Sequence, residues 1–292
     1  MLCKIKSILS NFDKYCSLAR LHSANLFLLS VFPSLTSIVL VSHSVINSYF
    51  YMLLCIVGGF IVQPAGCVIN DICDRNIDPH VERTKDRPLA NNSLTVVQAL
   101  KLLLPMLLCA CMLLIFTNPY TVKISIICMI LIVLYPLSKR CFAWPQLLLG
   151  LAINGGILIG CSMIIGHLTL SAVLLYLGCI FWTIGYDTIY AAQDKEYDIK
   201  LGVQSTAIRF GDNIRLWIGI LYTIVIIIWT SVGVISMLHP IFYLVILIIA
   251  AMFYYQYKKS DFDNPEKCMY IFSTNVYVGL ILFLGTLFSK II

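Results

Sequence analysis

Two stretches of this 292-residue chain concentrate carboxylates at helical spacing. The first runs Asn70-Asp71-Ile72-Cys73-Asp74-Arg75-Asn76-Ile77-Asp78-Pro79 and continues through Glu82, Arg83, Asp86, Arg87 and Pro88. At about 100° per residue, Asn70, Asp71, Asp74 and Asp78 share one face of a helix. The second runs Tyr186-Asp187-Thr188 through Tyr190, Gln193, Asp194, Lys195, Glu196 and Asp198. It places Asp187, Asp194 and Asp198 within roughly 40° of one another. Each stretch presents a D-x-x-x-D pair, and Asp74 and Asp194 are 120 residues apart. Stacked carboxylates repel and raise one another's pKa unless a cation stands among them. Mg²⁺ is the natural cation: hard, oxygen-seeking, and usually held by one or two carboxylates plus substrate phosphates. With Arg83, Arg87, Lys139, Arg140, Lys195 and Lys200 also in play, the pattern suits a magnesium-bound diphosphate better than metal storage.

The elements that carry these acids belong to a membrane. Hydrophobic residues make up 60% of the chain and charged residues 12%, against roughly 45–50% and 25% in an average globular protein. Mean hydropathy is +0.91. A soluble fold of this size cannot hide that much apolar surface, and the composition also excludes intrinsic disorder. No basic tract with interleaved aromatics points to nucleic acid. Nine apolar runs are long enough to cross a bilayer, near 24–42, 50–70, 99–117, 121–137, 145–165, 169–192, 214–236, 239–257 and 270–289. The expected fold is an all-α membrane protein, a bundle of about nine transmembrane helices, with 1–292 as a single domain and its core at about 20–290. The acidic stretches fall at the ends of spans two and six.

Charge asymmetry orients the bundle. With the N-terminus in the cytoplasm, 18 of the 20 Lys and Arg residues lie on that side, leaving only Lys123 and Lys290 opposite. The positive-inside rule then puts the N-terminus in the cytoplasm and, after nine spans, the C-terminus outside. All 14 acidic residues fall on the same side. The rule is nearly indifferent to Asp and Glu, so that one-sidedness needs its own cause, and catalysis supplies one. A cation channel or transporter could also use intramembrane carboxylates, but acids confined to one face make a poor ion pathway. The expected location is a bacterial inner membrane, or the mitochondrial one in a eukaryote.

Beyond these spacings, the sequence resembles the UbiA superfamily of intramembrane prenyltransferases over about residues 20–290. Gly66-Cys67-Val68-Ile69-Asn70-Asp71, with Asp74-Arg75, Asp78, Arg83-Thr84 and Arg87-Pro88, is similar to the superfamily's first motif. Tyr135-Pro136-Leu137-Ser138-Lys139-Arg140, then Trp144-Pro145-Gln146, Gly150 and Asn154, resembles the middle motif. Tyr186-Asp187-Thr188, Tyr190-Ala191, Gln193-Asp194, Asp198, Gly202-Val203, Ser205-Thr206-Ala207 and Phe210-Gly211 resemble the second acidic motif of the hydroxybenzoate branch. That run argues for this branch over haem O synthase or menaquinone-type relatives. The resemblance implies a polyprenyl diphosphate and 4-hydroxybenzoate as substrates and a bilayer as their meeting place, with no obligate protein partner. It implies Asp74, Asp78, Asp194 and Asp198 as Mg²⁺ ligands, with Asn70 and Asp71 in support. It implies that Lys139 and Arg140 bind diphosphate or the acceptor's carboxylate, and the Arg fork at Arg140 suits that carboxylate. From the charge pattern, Arg83, Arg87 and Lys195 join Asn70 as expected substrate-binding residues, and Asp187, on the inward stripe a turn or two deeper, is the expected orienting or proton-accepting carboxylate. The usual R-L-D-K-P-I-G opening of the first span reads Arg20-Leu21-His22-Ser23-Ala24-Asn25-Leu26 here.

Other tempting residues carry less. The 12 cysteines include no CxxC pair, and the five histidines show no ligand spacing. Asn154, polar within an apolar span, suits either a substrate contact or an interhelical hydrogen bond. The N-terminal MLCKIKSILSNFDKYC lacks the apolar core of a secretory signal. No D-G-x-x-A-R opening of a CDP-alcohol phosphatidyltransferase occurs.

Overall fold

The computed structural model describes residues 12–292; Lys4 and Lys6, counted above toward the positive face, lie outside them. The described chain is helical throughout, with short 3₁₀ turns. In order come α1 (Asn25–Val41), α2 (Tyr49–Asp74), α3 (Val96–Leu113), α4 (Pro119–Ser138), α5 (Pro145–Ile153), α6 (Gly155–Ile165), α7 (Leu170–Ala192), α8 (Lys195–Leu201), α9 (Thr206–Phe210), α10 (Ile214–Ile235), α11 (Ile241–Lys259) and α12 (Pro265–Ile291). Among the described residues, eight helical segments are long and apolar enough to cross a membrane, α5 and α6 counting together, and α1 falls just short at 17 residues. Together they correspond to the nine apolar runs. Helices are what such runs must form, because hydrocarbon offers no partner to an unpaired N–H or C=O.

The bundle closes around α7. The apolar window of α7 is 78% buried, while that of the α3 segment is 11% buried and faces outward. Around α7 pack α10, α12, α5 and the inner faces of α1 and α6. Trp182 stacks edge-on against Tyr186 and Trp229, and its indole N–H donates to Asn275 at 2.8 Å, tying α7 to α10 and α12. Small residues set the spacing, as membrane helices require in the absence of a hydrophobic drive between them. A Cβ at Gly178 would stand 2.5 Å from the Trp229 indole nitrogen, and one at Gly156 2.0 Å from Ser34 Oγ.

The fifth apolar run is not one helix. It breaks at Asn154, whose backbone leaves the helical region and whose side-chain amide donates to Gly150 O, Cys179 O and Thr183 Oγ1 at 2.9, 3.3 and 2.8 Å. Asn154 is 1% exposed, so of the two readings the sequence left open it makes the interhelical one. The break lets Gly155 and Gly156 bring α6 against α4 and α1.

Candidate active site

The two acidic stretches meet at one end of the bundle, though neither is the straight helix that its spacing suggests. After Asp74 the chain leaves α2, and Asp78 lies in the 3₁₀ turn Asp78–His80. Pro79 bars an α-helical continuation, since it has no N–H to offer Arg75 O and its ring clashes with that carbonyl. Asp78 is nevertheless returned to the site: Thr84 Oγ1 donates to its carbonyl at 2.9 Å, and Arg87 Nη1 holds its carboxylate at 3.0 Å. Likewise α7 ends at Ala192, and Asp194 sits in the bend before α8. Its carboxylate caps no helix because Arg83 occupies it, through Nε at 3.0 Å and Nη2 at 2.5 Å. A guanidinium fork from the loop of the first stretch thus joins the second.

The segment after Asp198 is shaped by its glycine. Gly202 takes φ +69, and the Gly202 and Val203 N–H groups donate back to Ile199 O and Asp198 O, closing α8 with a Schellman turn. Gln204 N–H then reaches Lys139 O at 2.8 Å, and Thr206 N–H reaches Gln146 Oε1 at 3.0 Å. These bonds bind the second motif to the middle one.

Each of four aspartates has a cation. Arg20 Nη2 lies 2.6 Å from Asp71, which is 1% exposed, with Arg87 3.3 Å away on the same oxygen. Lys139 Nζ donates to Asp74 Oδ2 at 2.8 Å and to Asn70 Oδ1 at 2.9 Å, and stands 5.0 Å from the Tyr135 ring centre. Arg83 also donates to the Tyr190 hydroxyl at 2.6 Å. Asp187 and Asp198 have no ion-pair partner among the described residues. Burial, reinforced by the neighbouring Asp194, pushes the Asp198 carboxyl up to about 7. Burial also raises Asp78 above the ordinary carboxylate range, against the pull of Arg87.

Two cavities share this framework. A polar one of about 140 Å³ is bounded by Asp74, Asp78, Asp187, Asp194, Asp198 and Lys139. An apolar one of about 810 Å³ extends from it between α1, α2, α3, α4 and the α5–α6 segment. Arg20, Asn70, Arg83, Arg87, Tyr135, Asp187 and Tyr190 line both. Such a site accommodates an amphiphile with an anionic head and a long apolar tail.

The structure brings together Asn70, Asp71, Asp74, Asp78, Arg83, Arg87, Lys139, Asp187, Asp194 and Asp198. It parts Lys139 from Arg140, whose Nη2 turns outward to the Cys73 carbonyl at 2.5 Å. Neither Arg140 nor Lys195 lines either cavity. The reason is helical: Arg140 follows the end of α4 by two residues and points away from Lys139's side of the turn. Arg20, Tyr135 and Tyr190 also line the site, beyond the residues that spacing and motif pick out. Arg20 has a signal in the sequence, since an arginine opens the first span; in the structure its backbone takes a left-handed φ of 53, which an arginine rarely adopts.

No three carboxylates, thiols or imidazoles gather tightly enough to cage a metal unaided among the described residues. The donors still fit Mg²⁺ held partly by a ligand's own oxygens. Asp74 Oδ1 is buried without a hydrogen-bond partner, and Asp198 is a half-buried carboxyl whose ionisation an added cation would favour.

The comparisons with known proteins agree with this geometry. The family model described as UbiA prenyltransferase family matches residues 30–285. A 4-hydroxybenzoate octaprenyltransferase of Francisella tularensis subsp. novicida is 37% identical over 273 residues, covering 92% of this chain and 95% of the relative. The Tolumonas auensis protein of the same name is 36% identical, covering 96% and 98%. Among solved structures, a UbiA homolog from Aeropyrum pernix K1 superposes with a TM-score of 0.75 at 19% identity, covering 89% of this chain and 96% of that one. A UbiA homolog from Archaeoglobus fulgidus bound to GPP and Mg²⁺ superposes with a TM-score of 0.68 at 17% identity, covering 94% and 99%. Sequence and fold therefore lead to one assignment: this chain belongs to the UbiA prenyltransferase family.

Proposed function

We propose that the protein transfers a polyprenyl group from a polyprenyl diphosphate to a ring carbon of 4-hydroxybenzoate, releasing diphosphate, in ubiquinone biosynthesis. The observation that carries the reading is the junction of the two cavities, where a ring of carboxylates and cations opens directly onto a long apolar channel. The names of relatives at 36–37% identity over nearly the whole chain supply the acceptor.

Asp74, Asp78, Asp194 and Asp198 would hold Mg²⁺, with Asn70 and Asp71 setting their positions. When bound, the ion supplies charge stabilisation to the leaving diphosphate. Arg83, Arg87 and Lys139 stand among these acids, and as diphosphate arrives they exchange carboxylate for phosphate oxygens. Their charge is greatest use as the allylic C–O bond breaks, when the diphosphate gathers negative charge. The ring carbon beside the phenol hydroxyl then forms the new C–C bond, and loss of its proton restores aromaticity. Asp187, buried and shared by both cavities, is placed to orient the acceptor or take that proton. Arg20 is better placed than Arg140 for the acceptor's carboxylate, because it lines both cavities and carries the planar fork that a carboxylate matches.

Product analysis tests the reading. Purified protein given octaprenyl diphosphate and Mg²⁺ should prenylate 4-hydroxybenzoate in preference to a dihydroxynaphthoate or a haem. Arg20→Lys should raise the KM for 4-hydroxybenzoate by about tenfold, the scale of losing a bidentate charged contact, while Arg140→Ala changes it little. A product formed only on the other acceptors would overturn the assignment.

The membrane setting is part of the proposal: a bacterial inner membrane with the acid-bearing face and the N-terminus in the cytoplasm. Lys and Arg bias supports it, and reporter fusions should find the two termini on opposite faces. Both on one face would refute it.

A further inference from the structure

Gln146 of the middle motif takes no part in the ion pairs of the site, yet it is 5% exposed and lines the polar cavity. A buried amide costs free energy unless its polar atoms are hydrogen-bonded. Its Oε1 accepts the Thr206 N–H at 3.0 Å, one of the first-turn donors that α9 cannot satisfy within itself. Thr206 is itself fixed. Its Oγ1 stands 2.6 Å from Thr188 Oγ1, and because Thr188 spends its proton on Ile184 O, Thr206 is the donor between them. Of the two ends of an amide only the oxygen can accept a backbone N–H, so the Thr206 contact settles which way Gln146 faces. The oxygen turns to α9, and the two N–H donors turn to the other side.

The Asp187 carboxylate is a hydrogen-bonding neighbour of that amide. Asp187 is 8% exposed, precedes Thr188 on α7, and lines both cavities. Asp71, Asp74, Asp78 and Asp194 are each held by an arginine or a lysine, whereas Asp187 has no such partner among the described residues. A neutral amide gives a carboxylate direction without neutralising it. An N–H on one carboxylate oxygen leaves the other free to face the cavity. That freedom matters for a base, which must lie within hydrogen-bond reach of the proton it removes.

We propose that Gln146 is a positioning residue for proton removal: locked by the Thr206 N–H, its amide holds one oxygen of Asp187 so that the other faces the prenylated ring carbon. The inference rests on the prenyl-transfer reading above. Once the new C–C bond has formed, the C–H bond at that carbon breaks and its electron pair restores the aromatic ring. The proton passes to the free Asp187 oxygen, and the resulting acid returns it to water as products leave. Gln146 touches neither the ring nor the proton and acts only through Asp187.

The test measures kcat with ordinary 4-hydroxybenzoate and with acceptor carrying deuterium on both ring carbons beside the hydroxyl. Gln146→Glu keeps an oxygen for the Thr206 N–H but offers Asp187 no amide donor, so it separates holding Asp187 from tying α5 to α9. Gln146→Met removes both contacts without adding charge, and decides the matter should the glutamate variant fail to fold. Each should lower kcat by about tenfold, a part of the 10²–10⁴ that a positioned base supplies, and leave the KM for octaprenyl diphosphate within about twofold. Each should also raise the deuterium isotope effect on kcat above the wild-type value, because proton loss now limits turnover. A kcat within twofold of the wild type in both variants overturns the inference. So does a loss of turnover with an unchanged isotope effect, which would place the damage before proton removal. A wild-type protein that forms no prenylated hydroxybenzoate counts against the prenyl-transfer reading, and the inference falls with it.

Discussion

Asp74→Asn and Asp194→Asn are each expected to lower turnover by on the order of 10²-fold, the scale of losing a major electrostatic contact in a transition state. The two residues are 120 positions apart in sequence, yet both line the same polar cavity of about 140 Å³. Each change preserves size and hydrogen bonding while removing one negative charge, which Mg²⁺ requires of its ligands. Each also frees a cation, Lys139 in one case and Arg83 in the other. The double variant should cost far less than the product of the singles, because groups acting as a unit are not additive. Asp261→Asn is the matched control: it lies on the same end of the bundle, but in a loop outside both cavities, paired with the exposed Lys267 at 3.0 Å. Losses that multiply as independent sites do, or full activity in excess EDTA, would refute a shared metal–diphosphate site.

The membrane fold was legible because its cause is coarse. Nine apolar runs at bilayer length survive errors of a few residues, and the helices fall on them. The breaks were less legible, since they come from contacts between distant residues. Asp194 leaves the line of α7 where Arg83, 111 positions earlier in the chain, grips its carboxylate. Helical periodicity knows nothing of that partner. Pro79 did offer a local warning that α2 could not continue past it, because proline lacks the N–H that the carbonyl four residues back requires.

Site membership divides along the same line. Side chains on rigid helices, such as Asn70, Asp71 and Asp74, kept the face that their spacing assigned. Lys139 and Arg140 look equivalent as a basic pair, but adjacent residues at a helix end point in different directions. Only one faces the cavity. Arg20 shows the converse: it precedes α1 in an irregular turn, and what makes it part of the site is Asp71, 51 residues on. Spacing arguments apply to regular elements, whereas a residue in a turn is placed by its tertiary partner.

Lys139→Ala should destabilise the protein as well as slow it. Asp74 is 4% exposed; Lys139 holds its Oδ2 at 2.8 Å, and its Oδ1 has no partner at all. Removing the lysine leaves a buried carboxylate with neither counter-charge nor hydrogen bond, a change that costs about 3–5 kcal/mol at buried ion pairs. Thermal unfolding in mild detergent should show a clear drop in midpoint. Lys139→Ala combined with Asp74→Asn should recover much of it, because a neutral amide needs no counter-ion. Recovery stays partial, since Lys139 also donates to Asn70 and lies over the Tyr135 ring. Added Mg²⁺ should raise the midpoint of Lys139→Ala more than that of the wild type, by supplying charge to the same oxygens. A single variant as stable as the wild type would show that the pair contributes little. A double variant no better than the single would locate the loss in packing, and the orphaned charge of Asp74 would not be its cause.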